Sequence, residues 1–489
     1  AGELVVGGGT QETRVGELSV NGAVPDADLA WEVGVFGDTT EGWRETNFVD
    51  QSAASLITKW QPSRSNGLLF SALFSKIKQG DKLYPRYEID DPASPDDRLD
   101  LELKDIELGY HYEASPGDDL LVYATWKENR SESRTLTDSY LAFPPALYVD
   151  TTNFTTFKQP NTQLQIQYMK KLASHQIITG VVNYDADINL KTIEQVDFVV
   201  RDTDPPTIVP AATTTLADNE VDVSFISIYI QDNWRISRSW HVEAAVYFDR
   251  MENASAANDI SWTIEEINPR FGLIWTPDNR HTIRLAAFRY LLPFVSSRTD
   301  PTEVAGISIF RNATEGTQTE EIDIVWEYER SYGLYSLNLF TLESENQIDR
   351  VNFLNTRKRG GELGLDMLVS QSIGLFANIR FEDVENDFQP DYDRLDHFFT
   401  LGLKHQSSSG LSAGISQIFR YTDFDNARED EEIPITDIEL GYEFPDKIAR
   451  IDLIVSNVFD EEFNWVVDNF AQRGRNPARE ALLKATFNF

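Results

Sequence analysis

The sequence contains no cysteine among its 489 residues. The absence excludes disulfide bonds, thiolate metal ligands and a cysteine nucleophile, but it is neutral on compartment, because an oxidising periplasm permits disulfides without requiring them. Positive charge is also scarce, since 43 Lys and Arg stand against 80 Asp and Glu, giving a formal net charge of −37. Such a chain repels nucleic acid, because nucleic-acid binders need a basic surface.

Long apolar runs are missing as well. No stretch reaches the roughly 18 apolar residues of a membrane-spanning helix, so the sequence predicts none. No signal peptide precedes Ala1, and we therefore expect a mature end or a fragment of something longer. The mean hydropathy of −0.37 is that of a polar chain, yet strands that alternate apolar and polar residues hide their hydrophobicity in such an average. The 41% apolar and 12% aromatic content argues against disorder.

A regular rhythm is what the chain does show. Alternating segments of about ten residues are separated by short polar turns rich in Pro, Gly, Asn, Asp and Ser. Ten such turns are predicted at Pro25–Asp28, Gln61–Asn66, Ser115–Asp118, Ala173–His175, Ser237–Ser239, Pro277–Arg280, Arg330–Tyr332, Ser370–Ser372, Gln406–Gly410 and Pro445–Lys447. Between them run predicted long connections, among them Gln79–Arg98, Lys127–Pro160, Lys191–Glu220 and Pro293–Gly316.

The alternation of short and long connections is typical of a membrane barrel and has no reason to occur in a soluble sandwich. Ten turns join twenty strands, and Leu4–Gly8 and Leu482–Phe489 bring the predicted number to 22, within a range of 18 to 22. The sequence therefore predicts an all-β fold, a transmembrane antiparallel up-and-down β-barrel with short periplasmic turns and long extracellular loops. We expect residues 1–489 to form this single domain, with no plug domain.

The alternation also assigns the two faces of the strands. Ile106 and Leu108 point one way and Glu107 the other, and we expect the apolar set to face lipid, where strands must close into a ring because each unpaired backbone group costs several kcal/mol. Aromatic residues near strand ends predict interfacial girdles, with packing in a soluble sheet core as the alternative: Trp60, Trp234, Trp240, Trp275, Tyr290, Tyr442 and Phe444.

Acidic residues then fall on the lumenal face. The predicted lumen-facing set is Glu107, Glu113, Glu321, Asp323, Glu327, Glu329, Asp437, Glu439 and Glu443. A wide acidic interior favours cations or neutral solutes over polyanions. The alternative, weighed equally, is an electrostatic network with inward Arg284, Arg380 and Lys404 that only solvates the wall.

Motifs for chemistry are scarce. The six histidines have no metal-ligand spacing, and His175, His241 and His281 border short turns, so we expect turn or interface placement. No G-x-S-x-G occurs, and the sequence predicts neither an enzyme nor a cofactor. The loop carboxylates Asp90, Asp91, Asp96 and Asp97 are weak Ca²⁺ candidates, because prolines interrupt them, and a solvated, mutually repelling loop surface is favoured.

Several stretches resemble barrels of the TonB-dependent receptor family. Tyr229–Arg238 is similar to the family's Y-x-Q-D-x-W-x-x-S strand, and Val455–Phe463 to its V-x-N-L-F-D-x-x-Y strand. Ile267–Pro277 with His281–Ala286 looks like its x-P-R-x-G-L-x-x-x-P … L-R-x-x hairpin. Gly2–Thr10 followed by Arg14–Ala23 resembles the first barrel hairpin, which in the family follows the plug. The resemblance covers essentially the whole chain.

Two further likenesses carry expectations about partners. Leu482–Phe489 looks like the C-terminal signal strand read by the outer-membrane insertion machinery, with Phe487 and Phe489 as the signal and a periplasmic C-terminus. Asp81–Tyr87 and Glu303–Gly306 resemble plugless barrels attached behind periplasmic tetratricopeptide-repeat regions. The plug and the TonB box of the family have no counterpart here, so either they lie outside this chain or the protein has none.

The resemblance implies a transport conduit or porin-like channel in the outer membrane of a Gram-negative bacterium, gated by a separate domain or partner. Alternatives are a TonB-dependent importer whose plug is absent from this chain, and a structural anchor or sheath for a secreted or redox partner. Expected partners are outer-membrane lipid, lipopolysaccharide, the insertion machinery, and a periplasmic repeat domain, plug or lumen-bound protein. Because a 22-strand ring leaves a wide lumen, we expect an occupant, such as Lys127–Pro160 or Lys191–Glu220 folding inward.

Overall fold

Strands make up nearly all of the molecule. The computed structural model describes residues 1–42, 47–80, 86–87, 97–141, 147–200, 207–255, 260–292, 300–309, 316–346, 355–386, 393–425, 430–461, 465–466 and 478–489. Twenty-two strands of these ranges form one sheet: β1 Gly2–Gly9, β2 Arg14–Val24, β3 Leu29–Thr40, β4 Val49–Ser63, β5 Asn66–Gln79, β6 Arg98–Ser115, β7 Asp118–Leu141, β8 Leu147–Leu172, β9 His175–Val200, β10 Thr207–Arg235, β11 Trp240–Ser255, β12 Ile260–Trp275, β13 His281–Leu291, β14 Thr317–Arg330, β15 Gly333–Asn346, β16 Thr356–Ser370, β17 Ile373–Asn386, β18 Arg394–Gln406, β19 Leu411–Phe424, β20 Glu431–Glu443, β21 Ala449–Ser456 and β22 Glu480–Asn488.

The sheet closes on itself. Each strand pairs antiparallel with the next, and β22 pairs with β1, from Glu3 opposite Asn488 to Gly9 opposite Leu482. The backbones of Gly2 and Phe489 exchange two hydrogen bonds of 2.7 and 3.0 Å at the end of this seam. The predicted 22-stranded antiparallel barrel is confirmed, and closure leaves the sheet without an open edge along this seam.

The ten predicted short turns all lie at one end of the barrel, which we call the short-turn rim; the opposite end is the long-loop rim. Backbones with positive φ make several of the turns, among them Asp28 at 47° and Gly117 at 81°. In another, the Asp278 carboxylate accepts hydrogen bonds from the amides of Arg280 and His281, and these bonds lower the pKa of that carboxyl. Turn chemistry therefore fixes where each hairpin ends.

The outer face is apolar, as the alternation predicts. Leu108, Ile267 and Ile324 are examples of exposed apolar side chains that alternate with inward residues on their strands. Stacked rings lie near the short-turn rim, where Trp240 faces Trp275 at 5.3 Å and Trp326 faces Tyr328 at 6.1 Å. These rings occupy the place that an interfacial girdle takes in a membrane barrel.

Four strands are far longer than the rest, and here the predicted long connections were wrong. The described residues of Lys127–Pro160 and Lys191–Glu220 lie in strands: β7 pairs with β8 up to Leu141 opposite Leu147, and β9 pairs with β10 up to Val200 opposite Thr207. Both spans are rich in Thr, and the second also in Val, and the branched side chains of these residues favour strands. At about 3.3 Å per residue these strands exceed the roughly ten residues needed to cross a bilayer, so they form a tall wall beyond the long-loop rim.

Helical structure is limited to two short 3₁₀ turns, Pro25–Ala27 and Pro445–Lys447, among the residues described. No helix in those ranges is long and apolar enough to span a membrane.

Candidate functional site

The interior of the barrel is the candidate site, and one side of it is densely packed. Lumenal side chains of β9 to β11 form an apolar cluster that includes Tyr184, Phe225, Tyr229, Tyr247 and Met251, all buried. The rings of Tyr229 and Tyr247 stack at 4.9 Å, and the Tyr229 hydroxyl donates to Gln167 Oε1 at 2.8 Å. Side chains therefore fill this side of the lumen.

A glycine makes this packing possible. A Cβ at Gly180 would lie 2.5 Å from the Tyr229 hydroxyl oxygen and 2.7 Å from the Ile166 carbonyl oxygen, closer than real Cβ contacts. The Tyr229 ring consequently lies flat against the wall at this point.

A short hairpin lies inside the lumen, in the connection between β13 and β14. We call residues Asp300–Ile309 the inner hairpin; its two-residue strands Glu303–Val304 and Ile307–Ser308 pair across a turn at Ala305 and Gly306, where φ is 52° and 77°. Its side chains Val304, Ile307 and Ile309 pack against the lumenal residues of β13, which are Ala286, Phe288 and Tyr290.

Three polar contacts hold the inner hairpin to the wall. Arg270 Nη1 donates to the Pro301 carbonyl oxygen at 2.8 Å, and Arg284 Nη1 donates to the Ala305 carbonyl oxygen at 3.0 Å. The Ala305 amide donates to Glu243 Oε2 at 2.6 Å. Because each bond involves a charged side chain, the three contacts are stronger than neutral hydrogen bonds. The same Arg284 also donates from Nε to Glu327 Oε2 at 3.1 Å.

Part of the remaining wall is open to solvent. On β1 to β3 the lumenal carboxylates Glu3, Glu17 and Glu32 are exposed, while their neighbours Leu4, Leu18 and Val33 point outward. The lumen is therefore asymmetric, with a packed side at β9 to β13 and a water-accessible acidic side at β1 to β3. Sequence reasoning did not distinguish the two sides, because both alternate in the same way.

The predicted lumenal acids fall into three groups by burial, and each lies on the side of its strand opposite the exposed apolar residues. Glu321 and Asp323 are buried at 2% and 0% exposure, behind the packed side. Glu329 is exposed. The half-buried group comprises Glu107, Glu113, Glu327, Asp437, Glu439 and Glu443. The structure thus places the set along the interior but does not gather it into one site.

Ion pairs along the wall support the network alternative for part of this set. Lys127 Nζ lies 2.6 Å from Asp105 and 3.7 Å from Glu107, and Arg450 lies 3.5 Å from Glu439. Arg284 pairs with Glu327, and Arg380 pairs with Glu382. Lys404 is exposed and faces the lumen. Inward bases therefore neutralise some lumenal acids, whereas Glu3, Glu17 and Glu32 on β1 to β3 remain exposed to water.

A buried charge cluster on β18 and β19 was not predicted. Asp396 accepts from Arg394 Nε at 2.9 Å, Arg420 Nη2 at 3.1 Å and the Thr422 hydroxyl at 2.6 Å. The spacing of two residues along each strand, Arg394 to Asp396 and Arg420 to Thr422, is the signal that could have shown it, because such residues share a face.

The other predicted site residues have structural surroundings. Asp97 is buried and accepts the Leu136 amide at 2.9 Å, while Asp90, Asp91 and Asp96 lie outside the described residues. Within the described ranges no three His, Asp or Glu side chains are placed to hold a metal ion. Phe487 and Phe489 point outward from β22.

The histidines near the short turns lie among aromatic rings or acids. His175 stacks on Trp234 at 5.3 Å and contacts Asp232 at 2.8 Å, and His281 stacks on Tyr328 at 4.6 Å. His241 lies 3.8 Å from Glu243. The placement of Tyr290 in an interfacial girdle was wrong, because its ring is buried in the lumen against the inner hairpin.

The comparisons with known proteins follow this architecture. The family model described as "TonB dependent receptor-like, beta-barrel" matches residues 42–458. The ferric citrate transporter FecA is similar in structure, with a TM-score of 0.74 and 13% identity over 100% of this chain and 78% of that one.

Two further solved structures are comparable. The ferric yersiniabactin uptake receptor FyuA from Yersinia pestis has a TM-score of 0.72 and 11% identity, covering 100% of this chain and 80% of that one. The ferric-catecholate import receptor Fiu from E. coli K12, in its closed form, has 0.71 and 14%, with 100% and 81% covered. No curated protein matches the chain. At these identities the likeness shows the fold.

Proposed function

Since the chain belongs to the TonB-dependent receptor-like β-barrel family, a family of outer-membrane transport, we propose that it is a conduit whose aqueous passage follows the wall of β1 to β3. The observation that carries the proposal is the asymmetric lumen. Exposed Glu3, Glu17 and Glu32 line one side, and the apolar cluster and the inner hairpin fill the other. Water-exposed carboxylates inside a closed barrel define a path that ions and small polar solutes can follow.

The charge of that path favours cations or neutral solutes. A carboxylate-lined passage with low-dielectric walls concentrates cations and repels anions. Anionic ferric chelates, such as the ferric citrate in the name of one structural neighbour, would meet repulsion along it. We therefore propose a substrate class different from that neighbour's.

Gating by a separate domain or a bound partner completes the proposal. The inner hairpin fills only one side of the lumen, so an ungated barrel would leak. A plug or a periplasmic repeat region that reaches the short-turn rim would close the passage. With that rim in the periplasm, as the predicted short periplasmic turns and C-terminal signal imply, the C-terminus also lies there.

Planar-bilayer recording tests the passage directly. The purified chain should conduct ions in a KCl gradient, and its reversal potential should show that K⁺ crosses more readily than Cl⁻. The double variant Glu17→Gln, Glu32→Gln should move that potential toward zero. The matched control Glu220→Gln changes an exposed acid on β10 above the membrane-spanning part and should leave it unchanged. A wild-type membrane without conductance would refute the proposal.

An importer whose plug is absent from this chain is the second candidate, and the structural neighbours favour it. Two of them are named as uptake or import receptors, and the chain covers about four fifths of each. This candidate predicts that a plug polypeptide, supplied in trans, silences the conductance and that TonB is then needed for uptake. Silencing by a repeat-region protein instead would favour the first candidate.

Lipopolysaccharide is the proposed neighbour of the outer face. Just above the apolar belt, β5 to β8 carry Lys76, Lys104 and Lys158, which pair with Glu102 and Glu128 at 2.6 to 3.4 Å. Half-exposed lysines at this level can exchange part of these pairs for lipid phosphates. The double variant Lys104→Glu, Lys158→Glu should copurify with less lipopolysaccharide than wild type; equal amounts would contradict the assignment.

A further inference from the structure

The inner hairpin has a function of its own within the passage. We propose that it is a fixed constriction, and that Glu303 on its free side selects for cations. The inference rests on the proposed function, because a constriction needs a passage to narrow.

The depth of the inner hairpin is the first support. Its tip residue Ala305 forms hydrogen bonds with Glu243 and Arg284 and packs against Gly272. All three wall residues lie three positions from a strand end at the short-turn rim. Glu243 is counted from Trp240, Arg284 from His281 and Gly272 from Trp275. Three residues are about 10 Å along a strand. Pro301 lies further from that rim, because it accepts from Arg270, which is five residues from Trp275. The hairpin therefore lies inside the barrel with its tip toward the short-turn rim.

The attachment of the hairpin is the second support. Val304, Ala305, Ile307 and Ile309 are all less than 5% exposed. A Cβ at Gly272 would lie 3.0 to 3.2 Å from atoms of Val304 and Ala305, so the tip touches the wall backbone. Together with three charge-assisted hydrogen bonds, this contact describes an element seated in one position rather than a lid.

The free side is polar. Glu303, Gly306 and Ser308 are exposed and alternate with the buried residues, so one edge of the hairpin faces the wall and the other faces the lumen. Glu303 thus adds a carboxylate on the side of the hairpin that faces the open lumen. A negative charge beside an aqueous passage raises the local cation concentration and lowers the local anion concentration.

Charge reversal tests the selectivity. In a unit-charge estimate, changing two charges at about 10 Å in water alters the local cation concentration about fourfold at low ionic strength. The local anion concentration changes by the same factor in the opposite direction, so Glu303→Lys should lower the K⁺ to Cl⁻ permeability ratio by about 16-fold. Glu220→Lys, the same change on the outer face of β10, should leave the ratio unchanged. An unaltered ratio in Glu303→Lys would overturn the assignment of Glu303.

A disulfide tests whether the constriction is fixed. The Cβ built at Gly272 lies 3.2 Å from the Ala305 Cβ, close to the roughly 3.5–4.5 Å of disulfides, and the chain has no other cysteine to compete. Gly272→Cys, Ala305→Cys should cross-link under mild oxidation and conduct equally before and after reduction. Two outcomes overturn a fixed constriction: no cross-link, or a conductance that rises severalfold on reduction.

The single variants Gly272→Cys and Ala305→Cys are the controls for side-chain size. Cross-linking is read on a gel and needs no transport. A silent wild-type membrane would refute the passage, and cross-linking would still report whether the hairpin occupies the lumen. Failure of the proposed function and failure of the hairpin assignment are therefore separate results.

Discussion

Truncating one buried side chain of the inner hairpin should loosen the hairpin without loosening the barrel. Ile309 is fully buried with Ile307 and Val304 against β13. Ile→Ala at a fully buried site costs about 2–5 kcal/mol, because apolar surface is lost and a cavity is left. If the hairpin opens as a unit, that cost falls on its opening equilibrium. Since 1.4 kcal/mol is a factor of ten, the open population should rise about 30-fold to a few thousand-fold.

Amide hydrogen exchange by mass spectrometry measures this population. The amide of Ala305 donates to Glu243 Oε2 on the wall, so it is protected only while the hairpin is seated. Exchange in the hairpin peptide should accelerate by the stated factor, while β11 and β12 peptides keep their rates. Ile267→Ala, on the exposed outer face, is the matched control. Equal hairpin exchange in wild type and Ile309→Ala would refute the reasoning.

Three other outcomes are expected. Gly180→Val should destabilise the barrel by about 1–3 kcal/mol, because a Cβ there collides with Tyr229. Gly16→Val is the control and should not destabilise it, because a Cβ there meets nothing within 4 Å. Thermal unfolding in detergent compares the two variants, and equal unfolding midpoints would contradict the described packing. Asp396→Ala should lower the free energy of unfolding, measured in urea, by about 3–5 kcal/mol, because two buried guanidinium groups lose their shared carboxylate. A loss below about 1 kcal/mol would show that water already solvates these groups. Phe489→Ser should slow assembly into the outer membrane, measured as the folded fraction on cold gels; unchanged assembly would remove the terminal Phe from the signal.

The fold was predictable because its information is local. A strand that alternates apolar and polar residues needs no distant contact to show which side faces lipid, and turn residues such as Asp28 and Gly117 mark where it reverses. The errors concerned the length of four strands and not the type of fold. Lys127–Pro160 was assigned to a long connection between two short turns, whereas its described residues extend the strands on either side.

The interior was less predictable, because it depends on contacts across the lumen. Residues Glu303–Ser308 are a short stretch of mixed character, and nothing in their sequence says that they pack on Gly272 and Ala286. Tyr290 was a different case. It lies in phase with Ala286 and Phe288, opposite the outward Ile283 and Leu285, so the phase of β13 placed it inside although its position near the strand end favoured a girdle.

The seam between β1 and β22 brings Gly2 and Phe489 together at the short-turn rim. Anything joined ahead of Ala1, by nature or by an engineer, would start beside the mouth of the lumen and on the same side of the bilayer as the carboxyl end. A fused reporter or binding module would therefore need no long tether to reach the opening. Tags on either terminus should be shielded together or accessible together when intact cells are probed from outside.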